Sequence, residues 1–101
     1  MRETQLMEID KIIHEPARLR IMMILAGLEQ ADFTFLVTTL DLTRGNLNRH
    51  IEKLESAGYL KVKKSFKGKM PNTSYQITQK GSKALGQYWE NLDTVRQLGK
   101  S

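Results

Sequence analysis

There is no cysteine in this chain, which excludes disulfides, thiolate metal ligands and a cysteine nucleophile. A long apolar run is missing as well. The longest, Ile21 to Leu28, has Gly27 inside it and is too short to span a bilayer, and no secretory signal precedes it. The expectation is no membrane association and a cytoplasmic location. Enzyme signatures are also lacking: no glycine-rich turn frames a serine, and no glycine-rich phosphate loop opens a helix. The carboxylates of the first third are scattered over positions that read as exposed helix rather than an acid/base pair. The two histidines, His14 and His50, are far apart in sequence, and no cluster surrounds either. His14 reads as a helix-entry residue and His50 as a packing or phosphate-contacting one. No catalytic residue, metal or cofactor is therefore expected.

Acids are absent from one whole stretch. Between Ser56 and Lys83 there is no Asp or Glu. The chain has 101 residues, 40% of them hydrophobic, enough for one small domain over 1–101 with its own core. Its 16 Lys+Arg and 11 Asp+Glu give a net charge of +5, unevenly placed. Residues 43–83 hold ten bases and two acids, whereas residues 1–42 hold four bases and seven acids. Such a pole in so small a domain points to a polyanion, either nucleic acid or an anionic membrane surface.

Periodicity supplies the elements. Leu6, Ile9 and Ile13 recur at helical steps and predict a short first helix. Pro16 marks the start of a second, which runs to Leu28 and is apolar on more than one face, as the most buried helix should be. Thr34 is expected to cap a short helix from about Phe35 to Leu40. Asp41-Leu42-Thr43 is a tight turn, and Thr43 caps a helix from about Arg44 to Ala57, stopped by Gly58. The period then changes to two. Leu60 and Val62 face inward in one strand, Tyr75 and Ile77 in another, and a long basic tip, Ser65 to Thr73, joins them as a hairpin. Thr78 caps a last helix toward Leu98, weakened near its start by Gly81 and Gly86.

The fold class expected is mainly α with a small β-hairpin. Leu36, Leu40, Leu42, Leu47 and Ile51 have the spacing of a helix-turn-helix, the first two seating the short helix, Leu42 filling the corner and the last two seating the second helix. Opposite Leu47 and Ile51 the wheel shows Gly45, Asn48, Arg49, Glu52 and Lys53, with Asn46 at the edge. Arg can bond guanine bidentately and Asn adenine, Gly45 removes bulk, and the free N–H groups of the helix start suit a phosphate.

Three stretches, HEPARLRIMMIL, LTRGNLNRHIEKLESAGYLKVKKSF and NTSYQITQKG, together resemble winged-helix transcriptional regulators of the MarR/ArsR kind, in their small stand-alone form, over about His14 to Trp89. The resemblance implies a winged helix-turn-helix that binds double-stranded DNA as a dimer. The recognition helix would be about 44–57 and the basic wing about 64–73. The DNA-binding residues expected are Thr43, Arg44, Gly45, Asn46, Asn48, Arg49, Lys53, Lys64, Lys67 and Lys69. The other class of function is a winged-helix protein-interaction module in a larger nucleic-acid-associated complex. Five lysines on the hairpin segment favour DNA.

Both chain ends carry apolar stripes beyond the winged core. Leu85, Tyr88, Leu92 and Val95 recur at steps of three, four and three, as in a helix-pair seam. Together with Leu6, Ile9 and Ile13 they are expected to form a homodimer interface, residues 1–14 and 86–101 being terminal dimerisation helices. A two-fold dimer would read a palindromic operator, most simply as a repressor. A small-molecule effector is left open.

Overall fold

The computed structural model describes residues 8–99. Helix α1 spans Pro16–Gly27, strand β1 Ala31–Asp32, helix α2 Phe33–Leu40 and helix α3 Arg44–Ser56. Strand β2 spans Leu60–Lys67, strand β3 Met70–Ile77 and helix α4 Gln79–Leu98. These are four helices and a three-stranded antiparallel sheet in the order β1-β3-β2, the architecture of a winged helix.

Each helix starts where a side chain satisfies its free N–H groups. Pro16 occupies the first turn of α1 after Glu15, whose Oε1 accepts from Ala17 N at 2.6 Å. Thr43 Oγ1 accepts from Asn46 N at 3.1 Å to start α3, and Thr78 Oγ1 from Gly81 N at 2.9 Å to start α4. The cap of α2 differs from expectation. Asp32, not Thr34, accepts from Phe35 N at 2.8 Å, and the helix begins at Phe33. The carboxylate is already in place because Asp32 lies in β1, paired with Ser74. That two-residue strand is too short to leave an alternating pattern in the sequence.

The turn between α2 and α3 passes through Asp41, left-handed at φ 53°, a conformation Asp tolerates. Leu47, Ile51 and Leu54 of α3 are then buried against Leu36 and Leu40 of α2 and Ile21, Met22 and Leu25 of α1. Gly58, at φ 82°, ends the segment as expected.

The wing is more strand and less loop than its composition suggests. Leu60 pairs with Ile77, and pairing continues to Lys67 opposite Met70, leaving only Gly68 and Lys69 at the tip. Gly68 has φ 62°, which a two-residue hairpin turn needs at its first position. Pro71 is tolerated because β1 pairs only with Ser74 and Tyr75, so that edge of β3 is open at Pro71.

Two other expectations change. Residues 8–15 form a turn rather than a helix, since Asp10 Oδ1 accepts from Ile12 N at 2.8 Å and Ile13 N at 3.2 Å, competing with helical bonding. This segment is strapped to the body. Arg18 Nε donates to Ile12 O at 2.6 Å, Asn91 Nδ2 to Glu8 O at 2.8 Å, and the Tyr59 hydroxyl to Asp10 Oδ2. Burial and that carboxylate push the Tyr59 hydroxyl up to about 12. Ile13 is fully buried in the chain's own core and Ile9 packs against it, while Leu6 lies outside the described residues. Gly81 is the second change. It is no weak point but a close approach, where a Cβ would collide with Tyr59 O.

The first half of α4 joins the core through Leu85 and Tyr88. Its second half stays tied to the body through Asn91 and Leu92 but leaves Trp89, Val95 and Leu98 exposed.

Candidate nucleic-acid interface

Burying Leu47, Ile51 and Leu54 on one side of α3 leaves Arg44, Gly45, Asn46, Asn48, Arg49, Glu52 and Lys53 exposed on the other. Two of these residues are held by their neighbours. Arg49 Nη2 donates to Asn46 Oδ1 at 2.9 Å, and Asn48 Nδ2 donates to Glu52 Oε1 at 3.3 Å. At the helix start the Arg44 guanidinium lies 4.8 Å above the Phe33 ring, a cation–π contact that aims it across the turn. Thr43 directs its oxygen at Asn46 N, so its first role is to cap. Nothing approaches Gly45 within 4 Å of where a Cβ would sit, so that corner is open.

Across from this face stands the hairpin. A crevice of about 580 Å³ separates them, lined among others by Arg44, Asn48, Glu52, Lys64 and Asn72. Lys64 and Lys69 are exposed, as the sequence reading requires. Lys67 is exposed too but has an anion, its Nζ lying 3.0 Å from Asp32 Oδ2. The Phe35 N–H and then Lys67 hold the Asp32 carboxyl below the usual range. Sequence reasoning missed Asp32 and Phe33 as supports of the site. The only available signal was the Asp at the right offset to cap Phe35.

His50 faces the body from the inner edge of α3. Its Nδ1 lies 3.1 Å from Arg18 Nη1 and 3.1 Å from Glu15 Oε2. Burial lowers its pKa below 6.5, Glu15 opposes that, and Arg18, Arg49 and Lys53 add to the lowering. A neutral ring accepts from Arg18, which ties the recognition helix to the start of α1. His50 is thus a packing residue. His14 is 2.8 Å from the Tyr88 hydroxyl and joins the N-terminal segment to α4. Among the described residues, no three His, Asp or Glu side chains gather as a metal site.

The helix-turn-helix and the basic hairpin thus face each other across this crevice. The sequence profile of winged-helix DNA-binding domains matches residues 17–95. The chain belongs to that family. DNA is accordingly the chain's partner and transcriptional regulation its function class. Winged-helix regulators of this kind typically have no enzymatic activity. The winged helix is 42% identical over 92 residues to an uncharacterized protein of Methanocaldococcus jannaschii, covering 90% of this chain and 96% of that one. It is similar to a transcriptional regulator homologue from Pyrococcus horikoshii OT3, with 33% identity and a TM-score of 0.82 over 93% of this chain and 92% of the other. A MarR-family regulator structure from Enterococcus faecalis V583 shares the fold, with a TM-score of 0.67 and 19% identity over 88% and 76% of the two chains.

The expected dimer residues are divided by this structure. Ile13, Leu85 and Tyr88 are buried within the chain itself and have no surface to offer. Reading them as interface residues gives way to reading them as core. Leu92 is half-buried, while Val95 and the neighbouring Trp89 remain 38% and 43% exposed. No helix among the described residues is long and apolar enough to cross a membrane.

Proposed function

We propose that this winged helix is a single domain over 1–101 that works as a two-fold dimer and represses transcription from the cytoplasm by covering a palindromic operator. In this reading Arg49, with Asn46 and Asn48, contacts base edges in the major groove. Thr43, Arg44, Gly45 and Lys53 meet the flanking backbone. Lys64 and Lys69, with Lys67 once it leaves Asp32, meet the backbone or minor groove beside it. The dimer forms through the outer half of α4, along Leu92 and Val95 with Trp89 beside them. The chain binds and does not catalyse, and it needs no cofactor or metal.

The observation that carries the reading is the juxtaposition of the exposed Arg49–Asn46 pair on α3 with a lysine-rich hairpin across one crevice. The dimer is supported by apolar residues exposed on the part of α4 that projects past the core. Its recognition helices would then sit about one DNA turn apart, ~34–36 Å.

The test is in-vitro selection from a duplex pool with 30 random base pairs, with sedimentation velocity of the protein alone. An inverted repeat with half-sites about 10 base pairs apart, and a dimer at micromolar concentration, are expected. A monomer, or recovery of a single unrepeated site, overturns the dimeric reading.

A further inference from the structure

We propose that the wing tip is an apolar wedge that enters the minor groove and kinks the DNA, an inference that rests on the DNA-binding reading above. Phe66 and Met70 are 72% and 69% exposed, well above the 53% of the next large hydrophobic side chain. Both sit at the end of the hairpin, where Phe66 pairs with Pro71 and Lys67 with Met70. Cross-strand partners share a face and successive residues alternate. Phe66 and Pro71 therefore lie on one face of the tip and Met70 on the other.

An apolar patch on one face fits a flat partner surface. A thin, two-stranded tip that is apolar on both faces fits a slot. The charge around it selects the slot. The hairpin carries Lys61, Lys63, Lys64, Lys67 and Lys69 and no acid, and its base adjoins the recognition helix across the crevice. On the Met70 face the Lys67 ammonium is drawn back onto Asp32 at 3.0 Å, so Phe66 and Met70 stand as apolar side chains just behind a Gly68-Lys69 turn whose one cation can meet a phosphate. The reach is also suitable. From the buried Tyr75 and its partner Val62, five residues of strand extend the hairpin by about 17 Å. Half of a ~34 Å turn separates adjacent major and minor grooves.

Phe, Met and Pro are the kinds of side chain that part base steps from the minor groove and bend a duplex by about 20–90° toward the major groove. Flexible TA and CA/TG steps yield most easily. The wing then contributes sequence preference through deformability, at a step that α3 never touches.

The probe is a 40-base-pair duplex carrying the selected site, with a fluorophore at each end for energy transfer. Wild-type protein should shorten the end-to-end distance and favour TA or CA/TG at the wing position. The Phe66→Ala/Met70→Ala variant should leave the DNA straight, bind about a hundredfold more weakly, as loss of two buried large side chains at about tenfold or more each implies, and keep its salt dependence. Phe66→Leu should restore the bend, and Lys69→Ala should keep it while making the salt dependence shallower. An equal bend in the Ala double variant, or straight DNA bound by wild type, overturns the wedge and leaves DNA binding intact. Failure to bind any duplex overturns both. Phe66-dependent binding to vesicles containing 30% anionic lipid, with bound DNA straight, assigns the tip to membranes and overturns the wedge.

Discussion

Arg49 donates to Asn46 Oδ1 at 2.9 Å, one turn back along the exposed face of α3. The guanidinium is held in plane before any DNA arrives, which reduces the ordering needed to form a bidentate contact. Arg49→Ala should cost about 1–3 kcal/mol of discrimination per half-site. Asn46→Ala, which frees the guanidinium, should cost less, about 0.5–1.5 kcal/mol. Titrations of the operator against random duplex measure both. Unchanged discrimination in Arg49→Ala would remove this residue from the readout.

Lys67 and Lys69 should not be equivalent. With about eight phosphates neutralised per dimer, log K should fall with log[salt] at a slope near about −7. Lys69→Ala should make that slope shallower by about 2, one phosphate per subunit. Lys67→Ala should change it less, because Asp32 already balances that charge. Asp32→Asn keeps a good cap for α2 and releases Lys67, so it should tighten binding and steepen the slope.

Val95→Asp should split the proposed dimer, since a charge trapped in an apolar seam costs about 3–5 kcal/mol. The exposed position spares the fold. Leu92→Asp should also split it, but with some loss of stability, because Leu92 packs partly on the core. Sedimentation with thermal melting separates the two effects. A Val95→Asp protein that remains dimeric would move the interface off α4.

Two glycines of α4 should respond oppositely to alanine. Gly81→Ala forces a Cβ against Tyr59 O and should destabilise the protein by about 1–3 kcal/mol. Gly86→Ala meets nothing within 4 Å and should stabilise it by about 0.5–1 kcal/mol through helix propensity. Melting temperatures of the two variants decide the matter.

The lowered pKa of His50 links stability to pH. Above about 6.5, the unfolded value, the ring is neutral in both states. As pH falls below that, the unfolded chain takes up the proton more readily than the folded one, and stability declines until the folded pKa is passed. His50→Gln should remove this component of the decline, measured by denaturant unfolding between pH 5 and 7.5. An unaltered pH profile would mean that other groups account for it.

Much of the frame was legible in one dimension. Thr43, Thr78 and Pro16 mark helix starts by local chemistry, and Gly58 marks a stop, because capping depends on residues within one turn. The buried set Leu47, Ile51 and Leu54 follows from a 3.6-residue period, and the exposed Arg49 face follows from that set. Over residues 8–15 the expected helix gives way to a turn, because Ile9 and Ile13 carry helical spacing while the Asp10 carboxylate, between them, accepts from the backbone N–H groups of Ile12 and Ile13 instead.

The sequence by itself determined the helix-turn-helix, the hairpin and the cationic pole, since each depends on neighbours a few residues apart or on simple charge counts. Only the tertiary structure decided which apolar residues were left over. Ile13, Leu85 and Tyr88 fit a surface stripe by spacing, yet contacts between distant segments bury them, while Val95, Phe66 and Met70 stay outside. It also brought Asp32 to Lys67, 35 positions apart, and Gly81 against Tyr59. Long-range pairings of that kind arise from how elements pack in three dimensions, and the local order of residues carries no record of them.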